Sequence, residues 1–188
     1  MHIPDSIGFY NAWLLAAVYL VLNFTYILLL PKYKLKDFIY VPRVKYISAL
    51  NHLLYYAFLF FCIFSPLKTG SVWFFVGLFV LIAGLFFYSF AMFSFAITEY
   101  NRPTTKGIYR YSRHPVYVSF FMIACGISIA SLSFVLLSIA VLHFLLTLKM
   151  MKAEETECKK KYKTEYEIYK SQTNRIIQLN KNKPLMSE

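Results

Sequence analysis

Residues 72–97 read VWFFVGLFVLIAGLFFYSFAMFSFAI, 26 consecutive positions without a charge. An α-helix needs about 20 apolar residues to cross roughly 30 Å of hydrocarbon, so this stretch alone predicts a spanning helix. Its two glycines, Gly77 and Gly84, are seven positions apart and share one face, which lets a second helix approach closely. Outward from it, Gly8 to Leu30 supplies 23 uncharged residues, Tyr46 to Leu67 another 22, and Val116 to Leu148 a further 33. The last run is too long for one span and is interrupted by Ser128, Ser131 and Ser133. It predicts a helical hairpin with arms near Val116 to Ile129 and Phe134 to Met151. The first arm, 14 residues at about 1.5 Å each, reaches only about 21 Å and is expected to tilt or tuck against other helices. The expected fold class is all-α: a polytopic integral membrane protein with about five transmembrane helices, a C-terminal hairpin and a cytoplasmic amphipathic helix.

Composition agrees with the runs. Of 188 residues, 59% are hydrophobic, 20% aromatic and 15% charged, where a soluble domain runs about 45–50% apolar and about 25% charged. That excludes a soluble domain and a disordered chain alike. Three cysteines without a pairing pattern exclude a disulfide scaffold. Asp5, with no lysine or arginine, precedes the first run, so it reads as a span and not as a cleaved signal peptide. No GxGxxG, P-loop, HExxH or zinc-spaced Cys/His cluster occurs.

The net charge of +11 is informative through its placement. With five spans, alternate loops fall on opposite faces. Residues 31–45 carry five basic residues, 98–115 four and the tail from Lys149 ten, against Lys68 alone on the other face. By the positive-inside rule this 19-to-1 division predicts the N-terminus outside, with the C-terminus and the candidate site cytoplasmic. Nucleic-acid binding is disfavoured: the basic residues are spread over three segments and the aromatics lie in the spans. Membrane lipids are the expected neighbours, and no protein partner is implied.

Chemistry-bearing residues concentrate in two of those segments. The loop EYNRPTTKGIYRYSRHPVYVS (residues 99–119) gathers Tyr109, Arg113, His114 and Tyr117 around Gly107 and two prolines. Pro115 fixes φ and turns His114 away from helix, presenting Arg113 and His114 ahead of the next helix N-terminus. A guanidinium fork, an imidazole and free backbone N–H groups suit an anion or carboxylate; an interfacial anchor on lipid phosphates fits the same residues. The tail helix KMMKAEETECKKKYKTEYEIYKSQTNR (residues 149–175) spaces Glu155, Cys158, Tyr162, Tyr166 and Tyr169 by three or four, so they are expected on one face. Glu154 and Glu155 lie about one turn past the membrane exit, where carboxylates near lipid phosphates call for a cationic ligand or the loop arginines. Beyond Thr173 the tail turns polar and is expected to fray. The alternating loop PKYKLKDFIYVPRVK (residues 31–45) suits the membrane interface. Asn51, His52 and His143 are polar positions inside spans, for which a helix-to-helix hydrogen bond competes with a functional role.

The combination of G-x-Y at Gly107 and Tyr109, R-H-P-x-Y at Arg113, His114, Pro115 and Tyr117, a hairpin, E-E at Glu154 and Glu155, and Y-x-x-Y at Tyr166 and Tyr169 resembles the isoprenylcysteine carboxyl methyltransferase family and its phospholipid N-methyltransferase relatives. Arg175 takes the trailing basic position. The likeness spans Thr98 to Arg175. It divides the chain into a three-helix region at 1–97, a methyltransferase-like core at 98–175 and a polar tail at 176–188. It implies a membrane enzyme that binds S-adenosylmethionine, without a metal, and methylates a lipophilic acceptor. Tyr109, Arg113, His114, Pro115, Val116, Tyr117, Glu154 and Glu155 would bind the cofactor, with Arg113, His114 and Glu155 in catalytic roles. Two positions depart from the family pattern: no arginine occurs in Leu148 to Lys152 just before E-E, and Lys163 stands where a glycine usually precedes Y-x-x-Y. Steroid-reductase-like membrane enzymes using NADPH share a similar hairpin, and a non-enzymatic protein could keep the motif for structure. Both remain alternatives at the level of sequence.

Overall fold

The computed structural model describes residues 11–39 and 45–177. Six α-helices follow in order: α1 (Trp13–Leu29), α2 (Lys32–Ile39), α3 (Lys45–Phe64), α4 (Val72–Ala96), α5 (Pro115–Ala130) and α6 (Phe134–Gln172). A single 3₁₀ turn, Gly107–Arg110, interrupts the loop between α4 and α5. The all-α membrane class is confirmed. α3, α4 and α6 are long and apolar enough to cross a bilayer, while α1 and α5 are shorter apolar helices of 17 and 16 residues. The start of the first sequence run, Gly8 to Tyr10, lies outside the described residues.

The short α5 is tucked in, as its length requires. Ser119, Ile123, Ala124, Gly126, Ile127, Ser128 and Ala130 are all buried, and α5 packs mainly along α4. Glycine makes that approach possible. A Cβ on Gly77 would overlap the Ala130 nitrogen and the Gly126 carbonyl oxygen, one on Gly84 would overlap Ile123, and one on Gly126 would overlap the Leu81 nitrogen. Between helices in lipid the hydrophobic effect contributes little, so this backbone-to-backbone packing is the cohesive element. The serines end the first arm of the hairpin at Ala130, and the Ser133 hydroxyl accepts from Leu136 N at 3.3 Å to start the second.

The end of the bundle at this hairpin turn is closed by neutral bonds. Ala12 N donates to Ser65 O at 2.8 Å, Lys68 N to Ala130 O at 3.1 Å, and Asn11 Nδ2 to Ile63 O at 2.7 Å. At the opposite end, the segment expected only to lie on the interface contains the helix α2. Its Lys34 ammonium sits 4.8 Å from the centroid of Phe95, and Phe38 packs on the same ring. Tyr40 lies outside the described residues.

α6 is not one straight rod. Lys163 has φ 48° and ψ −124°, so the helix breaks there and folds back. The expected single face from Glu155 to Tyr169 is therefore corrected: Tyr166 and Tyr169 belong to a second segment that returns over the loop. An Lys159–Glu167 ion pair at 2.5 Å spans the break, joining side chains that a straight helix would hold about 12 Å apart.

Candidate active site

The loop after α4 is pinned by two conformational devices. Gly107 has φ +62°, and a Cβ there would overlap the Ser94 hydroxyl, so the chain passes against α4 only because the residue is glycine. His114 then takes φ −130° and ψ 54° ahead of Pro115, the first residue of α5. This lies outside the helical region, which proline disfavours for its predecessor. No side chain caps that helix N-terminus. Ser112 Oγ accepts from His114 N at 3.2 Å and itself donates to Arg175 O at 3.2 Å.

Across from the loop, the turns of α6 just beyond its apolar half present the two glutamates. Glu155 is buried, 4% exposed, and ringed by basic side chains. Arg175 binds it in a two-pronged contact, Nε to Oε1 at 2.7 Å and Nη2 to Oε2 at 2.8 Å. Arg113 Nη2 lies 3.1 Å and His114 Nε2 3.3 Å from Oε1, and Lys170 Nζ lies 3.9 Å from Oε2. Burial pushes the Glu155 carboxyl up, but the hydrogen bonds from Arg175 and His114 and the charge of Arg113 outweigh it and hold it well below the usual carboxylate range. Glu154 is different. Its side chain is 38% exposed, accepts from the Tyr117 hydroxyl at 3.0 Å and approaches His114 Nδ1 at 3.7 Å.

The refolded end of α6 completes the enclosure. The Tyr169 hydroxyl donates to Tyr109 O at 2.7 Å, Arg113 Nη1 donates to Lys170 O at 3.2 Å, and Arg113 N donates to Asn174 O at 3.0 Å. In the segment expected to fray past Thr173, Asn174 and Arg175 are instead held by Ser112, Arg113 and Glu155. Tyr109 is buried. Burial, then the Glu154 charge, raises its phenol far above the ordinary range, which keeps it a neutral hydroxyl.

Every site residue read from the sequence falls in this region. Arg113, His114, Tyr117, Glu154 and Glu155 are joined by a chain of direct contacts; Tyr109 is buried beside them; Pro115 opens α5, and Val116 packs from the same turn against the apolar core. The contributions of Lys170, Ser112 and the Asn174 carbonyl were missed. They are generic polar groups far from their partners in the chain, and no spacing marks them. One atom stands out. Among the described residues, Arg113 Nε is the one buried side-chain polar atom without a hydrogen-bond partner. It lies where three cations, Arg113, Arg175 and Lys170, face one carboxylate, Glu155.

Residues 86–165 match the phospholipid methyltransferase family. The matched stretch runs from within α4 through the glycine-pinned loop, α5 and the hairpin to just past the break in α6, and covers fewer than half of the residues. It supports, over those positions, the resemblance carried by R-H-P and E-E. No curated protein and no solved structure gives a significant match.

Proposed function

We propose that the protein is an integral membrane methyltransferase that uses S-adenosylmethionine and acts on a lipid-like acceptor. The observation that carries this reading is the buried, unpartnered Arg113 Nε in a cation-rich niche beside a half-open Glu154, inside the stretch that matches the family. A buried donor without a partner costs about 1–3 kcal/mol and persists where a ligand satisfies it. S-Adenosylmethionine fits the donor set, since it offers a carboxylate to the arginine and amino and ribose groups to the glutamate.

When bound, that cofactor supplies a methyl group already activated by its sulfonium, so the protein has to align the acceptor and exclude water. Arg113 and the uncapped N-terminus of α5 would hold the cofactor carboxylate. Glu154, with Tyr117, would hold the amino or ribose groups, and Tyr109 would wall the pocket. Glu155 acts through its neighbours: it fixes Arg113 and His114 and balances the charge of Arg113. With Nε2 of His114 donating to Glu155, Nδ1 is the free acceptor on the Glu154 side, where an acceptor that must lose a proton can leave it. The distribution of basic residues supports a cytoplasmic position for this site.

Calorimetric titration of the purified protein with S-adenosylmethionine tests the reading, with NADPH as the competing ligand. Binding of the first is expected, weakened about tenfold by Glu154→Gln, the loss of one charge-assisted bond. Methyl transfer from labelled cofactor into a lipid extract should fall with His114→Ala. Binding of NADPH alone by a folded protein would overturn the proposal in favour of a reductase.

A further inference from the structure

A second cluster of polar groups lies within the membrane-spanning part, on the seam between α3 and α6. His52 is exposed on the outer surface of α3, seven residues from the helix start at Lys45. Ionisable side chains inside a membrane almost always face the bundle interior or a partner, so an outward histidine needs an explanation. Its Nδ1 approaches the carbonyl oxygen of Ser48 at 2.7 Å. A carbonyl only accepts, so Nδ1 carries the proton, and in a neutral imidazole Nε2 is an acceptor. Among the described residues nothing donates to it.

Next to it, the Asn51 amide is only half used. Thr147 Oγ1 lies 3.4 Å from Asn51 Oδ1 and 2.9 Å from the His143 carbonyl oxygen. A hydroxyl has one proton, and the shorter contact takes it, so at most one end of the Asn51 amide is engaged, and weakly. The floor of the cluster is aromatic: the Phe120 ring centroid lies 5.0 Å from that of His143 and 5.7 Å from that of Tyr55.

We propose that this seam is a binding subsite for a membrane amphiphile that carries a hydroxyl or amide N–H beside its apolar tail. The donor goes to His52 Nε2, the paired acceptor or donor to the open end of Asn51, and the tail lies along the exposed apolar surface of α3. The seam also points somewhere. His143, Thr147, Met150 and Glu154 recur at intervals of four, three and four and so share one face of α6. Thr147 to Glu154 is about 10 Å of helix. An amphiphile held by its tail-proximal group at the seam extends its other end toward Glu154. That last step rests on the methyl-transfer reading; binding at the seam does not.

Native mass spectrometry of the full chain released from detergent tests it, with monooleoylglycerol as the probe and methyl oleate as the control. Both have the same tail and an ester, and only the first has hydroxyl donors. Retention of monooleoylglycerol is expected to exceed that of methyl oleate by about tenfold, the worth of one good hydrogen bond. His52→Phe should abolish the difference, and its exposed position makes misfolding of that variant easy to detect by thermal unfolding. Asn51→Leu, at a buried position, should reduce the difference where the variant folds. Equal retention of the two probes by the natural protein, or an unchanged preference in folded His52→Phe, would overturn the subsite. A natural protein that prefers monooleoylglycerol yet shows no calorimetric binding of S-adenosylmethionine would uphold the subsite and overturn the methyl-transfer reading.

Discussion

The two ends of this helical bundle are held together by opposite means. At the hairpin-turn end, Asn11, Ser65, Lys68, Ala130 and Ser133 join the loops through neutral hydrogen bonds, two of them between backbone groups. At the other end, one carboxylate, Glu155, is contacted by two guanidiniums and an imidazole, with an ammonium behind them. Neutral bonds of the first kind are worth about 1 kcal/mol each, and any one can be lost cheaply. Buried charges of the second kind become a liability as soon as a partner is removed. The difference separates the end that only closes the fold from the end that is poised for a ligand, since the unpartnered Arg113 Nε lies in the charged one.

The contrast is sharpest at Glu155. Glu155→Ala leaves buried Arg113 and His114 without their anion and should cost about 3–5 kcal/mol in thermal or denaturant unfolding in detergent. A loss below about 1 kcal/mol would show that water screens the cluster and would erase the distinction between the ends. The same residue sets an acid dependence. Its folded-state carboxyl lies below the unfolded one, so its stabilisation is complete above the ordinary range of about 4 and disappears as pH falls toward the depressed folded value. Melting temperature should therefore drop on acidification below about pH 4, and Glu155→Gln should be less stable at neutral pH and flatter across that window.

A smaller effect is expected in the glycine seam between α4 and α5. Gly126→Ala places a Cβ against the Leu81 nitrogen and the Gly77 carbonyl oxygen and should cost about 1–3 kcal/mol, read in the same melts. At the neutral end, Ser133→Ala removes the cap of α6 and the long 3.5 Å contact with the Ser65 hydroxyl and should cost about 1 kcal/mol; a larger loss would mean that this end, too, depends on one residue. The smallest change has the opposite sign. Lys163 occupies a positive φ that favours glycine, so Lys163→Gly should raise stability by about 1 kcal/mol. No gain in the melting temperature would argue that the break relaxes in solution.

Much of the fold was legible because membrane insertion writes itself in one dimension. The uncharged run at 72–97 became α4, Gly77 and Gly84 marked the face that meets α5, and the serines at 128–133 placed the hairpin turn. The site was legible in part, where local rules act: Pro115 set the conformation of His114, and the adjacent Glu154 and Glu155 appeared opposite the loop arginine. The break at Lys163 was not legible as a break. A lysine is a good helix former, and only its mismatch with the glycine of the resembling families hinted at a left-handed residue.

The sequence by itself determined the class, the approximate spans, the clustering of charge and the residue types at the candidate site, because each is a property of neighbours along the chain. Tertiary structure alone decided how those residues divide their work. Whether Glu154 or Glu155 stays open, which arginine closes on the carboxylate and which nitrogen is left without a partner depend on chain segments brought back by a single positive-φ residue. Adjacent glutamates on a helix point in different directions, and what each one meets is set by residues as far away as Arg175.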